Sequence, residues 1–308
     1  MVNSNRMGLK RLTGWRPRGQ SVGYLYVLPA ILFLLVFTVY PLAQAAVMSV
    51  TQVSTTGKIG AWNNLANWLR LFQDGVFLHA VGLSLQFAVM GTVGSIVFGL
   101  ILAQLLNLRW LPPGLTNLLR GLAVLPWMFA TAVAALMWGL LLHRDGLINA
   151  WLNLLKLTHV PILFVGNPNT ALASLAAVFA WRVIPFIMVM VLAGLKSIPQ
   201  DLYEAASVDG ANTWQVYWRI TLPLVMPLIL TLSILTFVWG VGQYDLIRII
   251  TGGGPIDTTQ VVSFYIYRVG FLTLDWGYGA TISIAVFLVN TVCAVIYLYL
   301  SRRARPWD

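Results

Sequence analysis

Six long stretches of the chain consist almost entirely of apolar residues, and each is long enough to cross a lipid bilayer as an α-helix. Crossing the hydrocarbon core takes roughly 20 consecutive apolar residues in a helix. The pattern predicts membrane-spanning helices over residues 24–50, 80–106, 118–142, 170–195, 224–247 and 277–300.

The segments between these stretches are polar, and two of them carry a helical pattern of their own. Within residues 51–79 the apolar residues recur at helical spacing, which predicts a short amphipathic helix on the outer interface. The residues that form this pattern are Trp62, Leu65, Trp68, Leu69 and Phe72. A second short helix is predicted over residues 146–157, whereas residues 107–117 and 248–276 are predicted to be connections.

The composition is that of a membrane protein. Of the 308 residues, 59% are hydrophobic and only 9% are charged, whereas soluble domains carry about 25% charged residues. The 13 Trp and 11 Tyr residues suit the two membrane interfaces. We therefore predict an all-α integral membrane protein with one six-helix domain, residues 24–300, in which the lone Cys293 is a buried structural thiol.

Positive charges are distributed unevenly between the two sides of this predicted domain. Twelve Lys and Arg residues lie in the tails, 1–23 and 301–308, in the two connections on the same side, or, for Arg120, at the adjoining end of the third span; six lie in the opposite connections. Lys and Arg concentrate on the cytoplasmic side of membrane proteins. Both termini and the connection at 196–223 are therefore predicted to be cytoplasmic, and the net charge of +10 is not taken as a sign of nucleic-acid binding.

The connection at 196–223 holds three of the nine acidic residues, among them Glu204, the only glutamate in the chain. Pro199 suits the first turn of a helix, where its missing N–H is not needed. The helix dipole favours Asp201 and Glu204 near that start. Asp209 and Gly210 would end this helix, because glycine adopts positive φ without steric cost.

A second short helix is predicted to follow, capped by Asn212 or Thr213 and ended by Pro223. The connection would then be a helix-turn-helix with a slim acidic surface. From the residues alone, this element either docks on another protein or merely covers the end of the helix bundle.

Several motifs that carry chemistry are missing from the sequence. There is no G-x-x-x-x-G-K-[ST] motif for ATP, and the three histidines are too scattered to predict a metal site. No pair of carboxylates stands at helical spacing within a span, which argues against a proton relay. An enzyme is therefore not expected, and an ion-coupled secondary transporter, which usually has repeated halves, is the less favoured alternative.

The spacing of residues in the 196–223 connection resembles a known signature. Glu204-Ala205-Ala206, Asp209-Gly210-Ala211, Ile220, Pro223 and Pro227 resemble the EAA motif of the membrane permease subunits of bacterial ABC importers. Residues 192–199 and the Thr251-Gly252-Gly253-Gly254-Pro255 segment resemble the carbohydrate-uptake branch, the relatives of the maltose and glycerol-phosphate permeases. The resemblance covers roughly residues 20–300 and implies the type I importer permease fold.

This resemblance implies a mechanism and a set of partners. Two permease subunits, usually two different chains, form one pore in the bacterial inner membrane, and an external binding protein delivers a carbohydrate to it. Two ATPase subunits, which bind the ATP and Mg²⁺, would each receive one EAA loop, so this chain would bind no cofactor. The implied coupling residues are Glu204 as the acidic contact, Gly210 as the turn and Asp209 as its brace, together with Ala205, Ala206 and Ala211.

Candidate solute-binding residues lie in the fourth and fifth spans. A charge within a span should face protein or water, which singles out Arg182. Thr236, Trp239 or Gly240, and Gln243 would share one helical face and, with Tyr244, combine an aromatic platform with hydrogen-bonding groups that suit a sugar. In the related maltose permease the sugar-contacting positions match Phe179, Val183, Phe186, Thr236, Trp239, Gly240 and Gln243.

The candidate site leaves several alternatives open. Phe179 and Gly240 stand where the maltose permease has polar side chains, and Val183 replaces a small residue, so the site is not expected to be built for maltose. The solute could be a polyol or glycerol phosphate instead of a sugar, and the site could lie mostly in the partner permease. Arg182 could also be structural, paired with Asp245 of the neighbouring span.

Overall fold

Long apolar helices dominate the computed structural model, which describes residues 20–107 and 112–303. In this part of the chain five helices are long and apolar enough to cross a membrane, or six when a pair of helices that bends at a short break is counted as one span. The predicted helical fold class is confirmed. Most of the predicted tails, residues 1–19 and 304–308, lie outside the described residues, as does Arg109 of the 107–117 connection.

The helices and strands follow one another along the chain with short connections. The helices are α1 (Gln20–Leu34), α2 (Tyr40–Val50), α3 (Ala66–Gln73), α4 (Gly75–Asn107), α5 (Pro113–Met128), α6 (Thr131–Leu141), α7 (Leu147–Leu154), α8 (Ala171–Lys196), α9 (Gln200–Val208), α10 (Thr213–Val216), α11 (Leu222–Val241), α12 (Asp245–Ile250), α13 (Val262–Tyr267) and α14 (Trp276–Arg303). Three π-helical segments occur among the described residues: Leu35–Val39 joins α1 to α2, Tyr217–Thr221 joins α10 to α11, and Arg268–Leu272 continues α13. The strands are β1 (Thr51–Val53) and β2 (Ile59–Trp62).

The amphipathic segment after the first span contains a β-hairpin as well as the predicted helix. β1 and β2 are antiparallel, with Thr51 paired to Trp62 and Val53 paired to Ile59. Gly57, at φ +81°, lies in the turn that reverses the chain. The prediction that Trp62 belongs to the interfacial helix is therefore wrong, because Trp62 lies in β2 and pairs with Thr51 of β1. The helix itself, α3, begins after the hairpin and buries Leu71.

Three helices form the centre of the bundle. α8 packs along α4, and α11 lies against α4 and α8. Close approach is possible because small residues stand at the crossing points. A Cβ on Gly91 of α4 would lie 2.6 Å from the Phe179 ring, and one on Gly240 of α11 would lie 2.9 Å from the Cα atom of Ala88. These contacts set how closely α8 and α11 each approach α4.

The third span differs from the single helix predicted over 118–142. It begins earlier, at Pro113, and consists of α5 and α6, which meet at an angle of 96°. Phe129 and Ala130 at the break have extended ψ angles of 134° and 141°. Pro126 lies within α5, which continues as a helix to Met128, so the break follows the proline and is not at it.

The second half of the chain also differs from the prediction at two boundaries. The helical part of the fifth span ends at Val241 instead of Ile247, because Gly242 closes it with a backbone hydrogen bond to the carbonyl of Val238. The segment 248–276, predicted to be a connection, holds the second half of α12, all of α13 and the π-helical segment after it. Cys293, predicted to be buried, is exposed on α14.

Candidate functional site

The connection between α8 and α11 folds as the predicted helix-turn-helix element, which comprises α9, the turn after it, α10 and the π-helical segment Tyr217–Thr221 that continues α10. Pro199 is the N-cap of α9, with Asp201 in the first turn. At the C-terminal end the Ala211 N–H donates to the Ala206 carbonyl at 3.0 Å and the Gly210 N–H donates to the Ser207 carbonyl at 3.2 Å. This pair of bonds is a Schellman motif, which needs a residue with positive φ.

Gly210 is that residue, at φ +72°. Nothing lies within 4 Å of the position that its Cβ would occupy, so glycine is needed for the backbone conformation and not for space. Asp209 contributes to the turn through its backbone, since its N–H donates to the carbonyl of Ala205 at 3.0 Å.

The second helix of the element begins at a capping box. The Asn212 side chain accepts from the Gln215 N–H, and the Gln215 side chain accepts from the Asn212 N–H, each at 2.9 Å. The prediction that Asn212 or Thr213 caps this helix is confirmed for Asn212. The prediction that Pro223 ends it is wrong, because helical backbone continues from α10 through the π-helical segment into α11, which contains Pro223.

The outer surface of this element combines one carboxylate with exposed apolar side chains. Glu204 and Ala205 are exposed, whereas Ala206 faces inward. Val208 is 88% exposed and Trp214 is 70% exposed. An apolar surface of this kind next to a charge is typical of a protein–protein contact.

A cavity of about 320 Å³ lies between the third span, α8 and α11. Its lining is Trp127, Phe179, Arg182, Val183, Val238, Trp239, Gly242 and Gln243. Five of the predicted solute-binding residues are thus brought together from α8 and the end of α11. The cavity combines aromatic rings with one cation and one amide.

Phe186 lies at the edge of this cavity as the middle ring of an aromatic cluster. Its ring centroid is 5.6 Å from that of Trp127 and 5.3 Å from that of Trp239. Phe179, by contrast, is only 1% exposed and packs mainly against Phe87, at a centroid distance of 5.5 Å. The aromatic wall therefore comes chiefly from Trp127 and Trp239, and Phe186 packs against both rings.

Two polar groups face this wall. The Nε atom of Arg182 donates to the carbonyl of Phe129 at 3.4 Å, at the break between α5 and α6. Arg182 and Asp245 do not form an ion pair within 4 Å, so the predicted structural pairing is absent as a direct contact between these two described residues. Gln243 follows the end of α11 and is 9% exposed, and its backbone carbonyl accepts from the Ser263 hydroxyl at 2.6 Å.

Three predicted solute-binding residues lie away from the cavity. Thr236 is fully buried and its hydroxyl donates to carbonyls of its own helix. Gly240 packs on Ala88. The Tyr244 ring lies 5.3 Å from that of Tyr267, so it belongs to the aromatic packing of α13. The shared helical face predicted for Thr236 and Gln243 does not exist, because α11 ends between them.

Sequence reasoning missed three of the lining residues, Trp127, Val238 and Gly242. Trp127 reaches the cavity only because the third span bends just after it. Pro126 was the available signal, since a proline within a long apolar stretch predicts a bend. Val238 and Gly242 carry no chemistry that would have distinguished them.

A hydrogen-bond network ties α4 to α13 and α14 on the opposite side of the domain from the helix-turn-helix element. The carboxylate of Asp74 accepts from the hydroxyls of Tyr265 and Tyr278, each at 2.6 Å. It also caps α4 by accepting from the N–H groups of Val76 and Phe77. Burial opposes ionisation, but the hydrogen bonds from the two tyrosines and the two N–H groups outweigh it and lower the pKa of Asp74.

The geometry offers a central cavity and an exposed helix-turn-helix element instead of a set of catalytic groups. Within the described ranges, no group of three or more His, Cys, Asp or Glu side chains could hold a metal ion. The chemistry of the central cavity is that of reversible recognition, through ring faces, one guanidinium and one amide.

Comparison with known proteins agrees with this geometry. The chain is 32% identical over 292 residues to the trehalose/maltose transport system permease protein MalF of Thermococcus litoralis, covering 94% of this chain and 96% of that protein. It is 30% identical over 305 residues to the sulfoquinovosyl glycerol transport system permease protein SmoG of Agrobacterium fabrum, covering 98% and 97%.

The fold has a solved counterpart in a bacterial alginate ABC transporter, crystallised in complex with an alginate pentasaccharide-bound periplasmic protein. One chain of that transporter superposes with a TM-score of 0.79 at 23% identity, covering 93% of this chain and 96% of that chain. The predicted type I importer fold is thereby confirmed.

The family model described as "Binding-protein-dependent transport system inner membrane component" matches residues 95–306. The match includes the helix-turn-helix element and α8 and α11, which supply most of the cavity wall. The protein is accordingly a multi-pass inner-membrane component of a transporter that works with a binding protein, and not an enzyme. The chain belongs to the family of binding-protein-dependent transport system inner membrane components.

Proposed function

We propose that the chain is one of two permease subunits of an ATP-driven carbohydrate importer, with residues 24–300 as the permease domain and both termini in the cytoplasm. The relatives at 32% and 30% identity are named for the transport of trehalose or maltose and of sulfoquinovosyl glycerol. Each of these solutes contains a sugar. The two-to-one excess of Lys and Arg on the side of the termini supports the orientation.

The central cavity is the observation that carries this proposal. Sugars present apolar ring faces and many hydroxyl groups, so a sugar site combines aromatic stacking with fixed donors and acceptors. Trp127 and Trp239 supply the rings, while Arg182 and Gln243 supply the polar groups. At about 320 Å³ the cavity lies within the range of small-molecule sites. Phe186 would support the rings, and Phe179 and Val183 would close the wall.

The helix-turn-helix element would transmit the energy of ATP hydrolysis. This chain has no nucleotide-binding motif, so a separate ATPase subunit would bind the ATP and Mg²⁺. The exposed surface of α9 and α10, with Glu204 among Leu202, Val208 and Trp214, suits a cleft on such a subunit. Gly210 would hold the turn that sets the angle between the two helices.

A second permease subunit would complete the pore. The first span is the reason to expect one, because no residue in its most apolar window is buried within this chain. Lipid or a second subunit must therefore cover it. The relatives are named as permease proteins of transport systems, which suits a heterodimer of two related chains.

A polyol or glycerol phosphate is the main alternative solute. Arg182 gives this alternative weight, since a guanidinium in a cavity can bind a phosphate as well as a sugar hydroxyl. An ion-coupled secondary transporter is not favoured, because the family depends on binding proteins.

The test is transport by the complete complex, reconstituted in proteoliposomes with its second permease, ATPase and binding protein. A panel of disaccharides, glycosides, polyols and glycerol phosphate would be scored for uptake and for stimulation of ATP hydrolysis. We expect at least one carbohydrate to stimulate both, and Gln243→Ala to weaken that response. Stimulation by polyols or phosphates alone would refute the carbohydrate assignment.

A further inference from the structure

A second and larger cavity, of about 900 Å³, separates the helix-turn-helix element from the ends of the membrane helices. One wall consists of the C-terminal end of α4, the N-terminal half of α5 and the C-terminal end of α8. The other wall consists of α9, α10 and the π-helical segment that follows. A molecule in this cavity would therefore touch both the membrane helices and the element that is proposed to receive the ATPase.

The lining of this cavity is cationic. Arg120 and Lys196 line it, and none of the described lining residues is a carboxylate. The remaining polar lining can donate hydrogen bonds, from the hydroxyls of Tyr203 and Tyr217 and from amide side chains such as Gln104. Positive charge combined with several donors is the lining that an oxyanion requires.

Arg120 is held in the cavity wall without a counter-charge. Its Nη2 atom donates to the carbonyl of Leu106 at 2.6 Å. Its Nε atom is buried and has no hydrogen-bond partner, and no ion pair among the described residues includes Arg120. The Nε2 atom of Gln104 is likewise buried without a partner. A half-buried guanidinium without a counter-charge is costly unless an anion approaches it.

We propose that this cavity binds a phosphate-bearing anion, held between Arg120 and Lys196 on the membrane helices and the hydroxyls of Tyr203 and Tyr217 on the helix-turn-helix element. Guanidinium and ammonium groups are the usual protein partners of phosphate. The anion could be the headgroup of an anionic lipid or a free phosphorylated solute. Basic pockets between membrane helices on the cytoplasmic side take such headgroups.

Occupancy would link the position of the element to the presence of the anion. The Tyr203 and Thr221 hydroxyls lie 3.3 Å apart, so the two helices of the element are already joined on the side of the cavity. An anion that binds both walls stabilises the arrangement in which the walls are this close, and shifts the equilibrium by its difference in affinity between the two arrangements. This inference rests on the proposed function only for the cytoplasmic location of the cavity.

The test measures binding by the complete transporter complex in lipid nanodiscs. Nanodiscs of phosphatidylcholine alone and of phosphatidylcholine with phosphatidylglycerol would be compared by native mass spectrometry for retained phosphatidylglycerol. Inorganic pyrophosphate would be titrated calorimetrically into the phosphatidylcholine nanodiscs. The variants are Arg120→Gln and Lys196→Gln, with Arg219→Gln as the matched control, because Arg219 is exposed on the same element and does not line the cavity.

We expect each cavity variant to weaken binding about tenfold or more, the effect of losing one charge-assisted contact, and Arg219→Gln to leave it unchanged. Selective retention of phosphatidylglycerol would identify a lipid as the anion, and pyrophosphate binding lost in the same variants would identify a free phosphate. Any pyrophosphate that binds to the ATPase subunits should bind equally in all variants, so it cancels when the titration of each variant is compared with that of the wild type.

Equal binding of both probes by the wild type and by Lys196→Gln would overturn the proposal. Lys196 is exposed at the end of α8, so this variant folds even if Arg120→Gln does not. A complex that responds to no carbohydrate would refute the proposed function and leave this binding difference untouched.

Discussion

Replacing Gly210 by valine tests whether the turn of the helix-turn-helix element transmits the energy of ATP hydrolysis. Gly210 has φ +72°, and its Cβ position meets nothing within 4 Å. The cost of valine is therefore a backbone cost. A β-branched residue in the left-handed region costs about 1–3 kcal/mol, which is about 5- to 150-fold in an equilibrium constant.

The chain can avoid this cost only by giving up the Schellman motif. It would then lose the two hydrogen bonds that Gly210 and Ala211 donate to the end of α9. The angle between α9 and α10 would change, while the membrane helices, which make no use of this turn, would stay folded. We expect the Gly210→Val complex to assemble in the membrane but to lose most of its solute-stimulated ATP hydrolysis and uptake.

Two further variants separate this mechanism from a general loss of stability. Asparagine tolerates the left-handed region, so Gly210→Asn should retain a larger share of transport. Gly57 in the β-hairpin also has positive φ, at +81°, with nothing within 4 Å of its Cβ position. Gly57→Val thus introduces the same backbone strain in the β-hairpin, outside the helix-turn-helix element, and should leave solute-stimulated ATP hydrolysis unchanged. Normal stimulation and uptake by Gly210→Val, or an equal loss with Gly57→Val, would refute the reasoning.

Three other perturbations test the cavity, the bundle and the outer network. Gln243→Leu keeps the side-chain size but removes the amide from the cavity, so the KM for uptake should rise about tenfold while basal ATP hydrolysis is unchanged; an unchanged KM would exclude a contact with the solute. Gly240→Val forces α11 away from Ala88, so thermal unfolding should show a loss of about 1–3 kcal/mol, whereas Gly82→Val, whose Cβ meets nothing within 4 Å, should be nearly neutral. Asp74→Ala removes the acceptor of two tyrosine hydroxyls and should cost about 1–2 kcal/mol at neutral pH. Because folding lowers the pKa of Asp74 from 3.8, the ionised carboxylate should add its full share to the free energy of unfolding above pH 3.8 and lose it as the pH falls further. The free energies of unfolding of the wild type and of Asp74→Ala, measured across this range, should therefore converge at the acid end.

The membrane helices were predictable from the sequence because lipid imposes a simple requirement. A spanning segment must be long, apolar and internally hydrogen-bonded, so its length can be read directly from the chain. The fourth span, predicted over 170–195, is α8 at Ala171–Lys196. The hairpin at Trp62 and the helices within 248–276 were missed where no such requirement acts, whereas the third and fifth spans departed from the prediction at a bend after Met128 and at the end of α11.

The helix-turn-helix element was predictable because its signals are local. Proline before α9, glycine at the turn and asparagine before α10 each act on the backbone within a few residues. Pro223 was misread for a related reason. Proline commonly ends a helix, and only the structure shows that the helical path continues through the π-helical segment and past Pro223.

The solute cavity was predictable only in part, because it depends on how three helices meet. Residue chemistry pointed to Arg182, Trp239 and Gln243, which do line it. Helical spacing also pointed to Thr236, which instead faces the packed interior. Trp127 was missed because nothing in its own neighbourhood shows that the bend after it turns its ring toward α11.

The sequence by itself determined that this is a helical membrane protein with a separate helix-turn-helix element, since hydrophobic length and local turn chemistry are properties of short segments. The tertiary structure decided which side chains face the central cavity, and it placed Arg120 and Lys196 in the wall of a second cavity whose described lining holds no carboxylate. Those arrangements follow from helix crossings set by close contacts between residues far apart in the chain, such as Gly91 with Phe179. A bend of 96° in one span was enough to add a tryptophan to the candidate site.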